Sequence, residues 1–114
     1  LLGRLNLGAA LFLTGKYPEA ISHLRYVIAL EPQNLPAMMN LAACLDALGK
    51  SEESIATLEK VVEARPEWKD AHFNLAVAYH KQEMNDKAVD ALKAELRINP
   101  KNKAAQDLLY KLTH

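Results

Sequence analysis

The sequence has no surplus of either charge: fourteen acidic residues stand against fourteen lysines and arginines. Without a basic stripe it lacks the phosphate-neutralising surface that nucleic-acid binding requires, so no nucleic acid is expected as main partner. It has no second cysteine. Cys44 is alone, which excludes an internal disulfide and is compatible with a reducing compartment, the cytoplasm being favoured. It has no long apolar run either. The longest, Leu7 to Leu13, is interrupted by Gly8 and falls far short of the roughly 20 residues that span a bilayer, so no membrane insertion is expected. No charged start leading through an apolar stretch to a cleavage site is visible. The opening on Leu1-Leu2 rather than Met leaves room for a longer parent chain. What is present suffices for one domain, since half of the 114 residues are hydrophobic.

The chain is written three times. Leu7-Gly8, Leu11, Gly15-Lys16-Tyr17, Ala20, Leu24, Val27 and Pro32 return thirty-four residues later as Leu41-Ala42, Leu45, Gly49-Lys50-Ser51, Ser54, Leu58, Val61 and Pro66. They return again as Leu75-Ala76, Tyr79, Glu83-Met84-Asn85, Ala88, Leu92, Glu95 and Pro100. No insertion breaks the period, and a fixed period of this length marks stacked supersecondary units.

Each copy resembles a tetratricopeptide repeat, whose pattern wants a small residue after Leu at the eighth place, an aromatic or Leu at the eleventh, Ala at the twentieth and Pro at the thirty-second. The resemblance implies an all-α solenoid of three antiparallel helix-turn-helix units, residues 1–34, 35–68 and 69–102, with a capping helix over 103–114. It also implies a module that binds other proteins.

Local chemistry sharpens these expectations. Gly15 and Gly49 supply the left-handed residue that closes a first helix. Pro18 and Pro36 sit in the first turn of their helices, where a missing N–H costs nothing, and Pro32 stops the second helix after Leu30. Ser51 is expected to cap the fourth helix. In the third copy Glu83 replaces the turn glycine, and Asn85 is the residue expected to tolerate the left-handed region. Glu95, at a place that normally takes a small apolar residue, is expected near the edge of the stack, paired with Lys103 or Lys111. Leu1, Leu2 and Leu5 open the first helix with almost no polar cover. That end is expected either to meet a further repeat or to serve self-association as a homo-oligomer.

Catalytic, metal and cofactor chemistry is not foreseen. Gly49-Lys50-Ser51 has the tail of a phosphate-binding loop, but Cys44 stands where its first glycine is required. His72 and His80, eight residues apart on one helix, are separated by about 12 Å, too far to share a metal. Cys44 falls on the inner face of its helix and reads as a small buried hydrophobe.

The family resemblance places the second, fifth, sixth, ninth, twelfth and thirteenth residues of each unit on a concave groove. These are Leu2, Leu5, Asn6, Ala9, Phe12 and Leu13, then Pro36, Met39, Asn40, Ala43, Asp46 and Ala47, then Asp70, Phe73, Asn74, Val77, His80 and Lys81. Asn6, Asn40 and Asn74 recur at one place, and an asparagine offers both a donor and an acceptor to an extended peptide backbone. Similar ladders occur in tetratricopeptide scaffolds joined to sugar-transferring enzymes, so a substrate-recruiting fragment of such an enzyme is an alternative role. The clamp for an acidic C-terminal carboxylate, known in chaperone-binding members, would need Lys, Asn, Asn, Lys and Arg where this chain has Leu5, Ala9, Asn40, Asp70 and Asn74; only Asn40 fits. Leu5, Phe12, Met39 and Phe73 suit a peptide or helix with hydrophobic anchors. His80 and Lys81 suit an acidic residue at that end of the ligand.

Overall fold

The computed structural model describes residues 2–114, of Leu2 only the backbone, so the expectation resting on Leu1 and on the Leu2 side chain lies outside the described residues. Among these residues there are seven α-helices and no strand: α1 (Leu2–Leu13), α2 (Tyr17–Leu30), α3 (Leu35–Ala47), α4 (Ser51–Ala64), α5 (Ala71–Lys81), α6 (Asn85–Ile98) and α7 (Lys103–Thr113). The architecture is that of an all-α helical repeat. Two compact units, Leu1–Thr57 and Leu58–His114, divide the chain within α4.

In the first unit α1, α2 and α3 pack on one another around Ala20, Leu24, Val27, Ala37, Leu41, Cys44 and Leu45. The need for a small residue at the eighth place has a direct cause. A Cβ added to Gly8 would lie 2.9 Å from the Leu24 side chain, so α1 and α2 approach as closely as they do because Gly8 has none. Gly15 closes α1 at φ +80 and Gly49 closes α3 at φ +78. In each turn two backbone bonds recur: Gly15 N–H to Phe12 and Lys16 N–H to Leu11, then Gly49 N–H to Asp46 and Lys50 N–H to Leu45. These bonds satisfy carbonyls that the helix end leaves orphaned. Asn34 caps α3, its side chain accepting from the Ala37 N–H at 3.0 Å. Ser54, at the place held elsewhere by Ala, is buried and satisfies its hydroxyl by donating to the Ala42 carbonyl at 3.0 Å.

Ser51 differs from its expected role. It is buried as the first residue of α4 and its hydroxyl donates to Asp46 at 3.4 Å; the Ser54 N–H bonds the Lys50 carbonyl, so Lys50 and not Ser51 precedes the first turn. The neighbouring Glu52 and Glu53 are exposed, and Glu53 meets Arg25 at 3.6 Å across solvent-exposed side chains.

In the second unit α6 packs on both α5 and α7, and Leu58, Val61, Leu75, Ala76, Tyr79, Ala88, Leu92 and Ala105 are buried. Two expectations are corrected here. The left-handed residue of the α5–α6 turn is Glu83 itself, at φ 60, while Asn85 opens α6. Glu83 keeps the turn because its N–H bonds His80 and the next N–H, of Met84, bonds Tyr79, the pattern both glycine turns use. Glu95 is not at an edge and pairs with neither lysine in any described contact: it is 0% exposed. Its carboxylate accepts from the Phe73 N–H at 3.3 Å and from the Asn102 side chain at 3.4 Å. A buried carboxylate needs donors, and the start of α5 together with Asn102 provides them.

The start of α5 departs from the repeat. Trp68 stands where Asn34 and Asn102 cap α3 and α7. Asp70 is left-handed at φ 67 and makes no side-chain cap, so α5 begins two places later in the repeat than α3 and α7 do.

Candidate functional site

The predicted binding residues fall on α1, α3 and α5, the first helices of the three copies. In the first unit Leu5, Asn6 and Phe12 lie on α1 and Met39 and Asn40 on α3, two helices in mutual contact. Leu5 and Phe12 are half-buried and pack against the core, Phe12 also tilting against Tyr17 with ring centroids 5.7 Å apart. Asn6 is exposed, while Met39 and Asn40 are half-buried. Leu13, in the last turn of α1, is 81% exposed.

In the second unit Phe73 and Asn74 occupy the first turn of α5 and His80 and Lys81 its last. Phe73, Asn74 and His80 are half-buried and Lys81 is exposed. The His80 Nδ1 donates to the Asn85 side-chain oxygen at 3.3 Å, which orients the ring at the end of the helix. Asp70 precedes α5 in a left-handed conformation, so it does not share the helix face that its place in the repeat implies.

The three asparagines share more than spacing. Among the described residues, none donates to or accepts from the side-chain amides of Asn6, Asn40 or Asn74. An amide has two donors and a carbonyl acceptor, and in each of these three every one of them is open to water or to a ligand.

Other polar groups are already engaged. The Tyr79 hydroxyl donates to Glu59 at 2.8 Å, and burial together with that carboxylate pushes it from the usual 10 up to about 12. The Lys87 ammonium lies 5.8 Å from the centroid of the same ring. The His72 Nε2 donates to the Pro66 carbonyl at 2.8 Å. Cys44 is buried, and burial raises its thiol, which suppresses the reactive thiolate. Among the described residues no group of three or more His, Cys, Asp or Glu side chains is placed to hold a metal, and no helix is long and apolar enough to cross a membrane.

One cluster went unforeseen. Arg4 lies over the Tyr26 ring at 4.0 Å and its Nη1 donates to the His23 Nδ1 at 3.2 Å, tying α1 to α2. The one signal available was the three-residue spacing of His23 and Tyr26, which puts them on one helix face.

Two family models, both described as tetratricopeptide repeat, match residues 11–72 and residues 45–103. No curated protein matches the chain in sequence. Solved structures that resemble it include the first TPR domain of Spaghetti (RPAP3) bound to the HSP90 peptide SRMEEVD, at 22% identity and TM-score 0.95 over 98% of this chain and 89% of that one. The Sgt2 TPR domain of Aspergillus fumigatus is similar at 19% identity and TM-score 0.92, over 97% of this chain and 75% of that one. MamA of Desulfovibrio magneticus RS-1 is similar at 25% identity and TM-score 0.89, over 96% of this chain and 62% of that one.

Proposed function

This chain belongs to the tetratricopeptide repeat family, and from that premise we propose that it is a protein-interaction module without chemistry of its own. Its ligand is an extended or helical segment of a partner protein, taken up by half-buried and exposed residues of α1, α3 and α5. The observation that carries this reading is the set of unengaged amides of Asn6, Asn40 and Asn74, one per copy at the same place. Side chains of this kind bond a peptide backbone whatever its sequence. Leu5, Phe12, Met39 and Phe73 add apolar contacts beside them, and His80 with Lys81, in the last turn of α5, favours an acidic residue at that end of the ligand.

The peptide of the Spaghetti complex, SRMEEVD, is acidic and ends in a carboxylate. The likeness to that domain does not extend to a carboxylate clamp. Leu5 offers no charge, Ala9 no amide, Asp70 the wrong charge and Asn74 an amide in place of a guanidinium. Ligands with apolar anchors fit this chain better than short acidic C-termini.

Selection of a random peptide library on the purified chain tests the reading, followed by titration of the enriched peptides. Asn40→Ala with Asn74→Ala is expected to leave helicity unchanged. The double variant should weaken binding about 30-fold, two lost hydrogen bonds at about 1 kcal/mol each. Undiminished affinity removes the asparagines from the site; enrichment of no peptide removes the reading.

A further inference from the structure

Three helices in this chain begin where a helix-starting asparagine is expected, and two of them have it. Asn34 accepts from Ala37, the third residue of α3, and Asn102 accepts from Ala105, the third residue of α7. At α5 the corresponding position is Trp68, whose side chain has no acceptor to offer, and the third helical residue is Phe73. Its N–H is taken by Glu95, from a different helix. Glu95 in turn holds the side-chain nitrogen of Asn102, whose oxygen caps α7. The first turns of α5 and α7 are thus joined through one buried carboxylate on α6.

We propose that Glu95 is a positioning residue: a cap supplied from α6 that replaces the asparagine missing at 68 and fixes the first turn of α5, from which Phe73 and Asn74 are presented. Three facts converge on it. The places equivalent to Glu95 hold Val27 and Val61, both 0% exposed, so the packing there asks for no carboxylate. Of α3, α5 and α7, α5 is the one without an asparagine cap, and it is α5 whose first turn an acidic side chain of the next helix reaches. The position also suits the charge, because an α-helix N-terminus presents unpaired N–H groups and the positive end of its dipole. Only the bearing on ligand binding rests on the function proposed above; the capping role stands apart from it.

Amide hydrogen exchange on the full chain, read residue by residue by NMR, tests the proposal without any ligand. In Glu95→Val, which installs the residue of the other two copies, exchange at Phe73 should quicken at least tenfold relative to Leu92 in α6. Glu95→Gln keeps an acceptor and should retain most of the protection. Adding Trp68→Asn to Glu95→Val should restore it: an asparagine cap starts α5 two residues earlier, and the Phe73 N–H then bonds the Lys69 carbonyl four residues back. Unchanged exchange at Phe73 in Glu95→Val overturns the proposal. So does a loss spread evenly over α5 and α6, a loss as large with Gln as with Val, or no rescue by Trp68→Asn. Failure of the peptide selection leaves these outcomes untouched, so the two readings fail separately.

Discussion

The two units reach the same helical hairpin by different means. Residues 1–57 carry nine of the 28 charged side chains and residues 58–114 carry nineteen. The first unit turns at Gly15 and Gly49, while the second turns at Glu83 with the same pair of backbone bonds. The first caps its internal helix with Asn34, while the second lacks that residue at Trp68 and draws on Glu95. What does not vary is the centre of the packing: Ala20 and Ala88, and Leu24 and Leu92, are all 0% exposed, and the one exchange beside them sets Val27 against Glu95, both still buried. Apolar places at helical spacing thus fix the hairpin, and caps and turns are met by whichever residue satisfies the backbone.

The most severe test of that equivalence is Leu24→Ala beside Leu92→Ala. Each should cost about 2–5 kcal/mol in urea unfolding, the usual range for a buried leucine. A cost well under 2 kcal/mol in either unit would break the parallel. Next comes Gly8→Ala, expected to lose about 1–3 kcal/mol because the new methyl meets Leu24. Ala42 and Ala76 already hold a methyl at the same place and are buried with it, so the tight approach belongs to the first hairpin alone. A neutral Gly8→Ala would show that α1 can shift away at no cost. The smallest effect, and the only gain, should come from Glu83→Gly: about 1 kcal/mol of added stability as a left-handed residue loses its Cβ, seen as a higher midpoint at unchanged slope. No gain would mean that the Glu83 side chain contributes something the glycine turns lack.

Much of this was legible in the residues. The period gave the number of helices, the glycines gave two turns, and Pro18, Pro32 and Pro36 gave helix ends that α2 and α3 keep. Burial of Cys44 followed from its place on the inner face. The misjudged residues were all polar ones in the later copies. Glu95 was expected at an edge because a carboxylate ordinarily avoids a core; its partners are a backbone N–H twenty-two residues earlier and a side chain seven later, a pairing no local pattern encodes. Propensity alone favours Asn85 over Glu83 for the left-handed position, yet the register of the helix end decides which residue must adopt it. Ser51 resembled a cap by composition, but the bond from Ser54 to Lys50 places it one residue inside the helix. For the candidate site the spacing of the three asparagines is visible in the sequence; that their amides are unengaged depends on what the folded helices place around them.

Cys44 turns the first unit into its own gauge. It is the single thiol of the chain, fully enclosed beside Leu41 and Leu45, with ionisation further suppressed by burial. A thiol reagent can reach it only when that unit opens, so the labelling rate of the unmodified protein measures how often it does. Adding a peptide that closes on α1 and α3 should slow this clock, and no engineered probe is needed to read it.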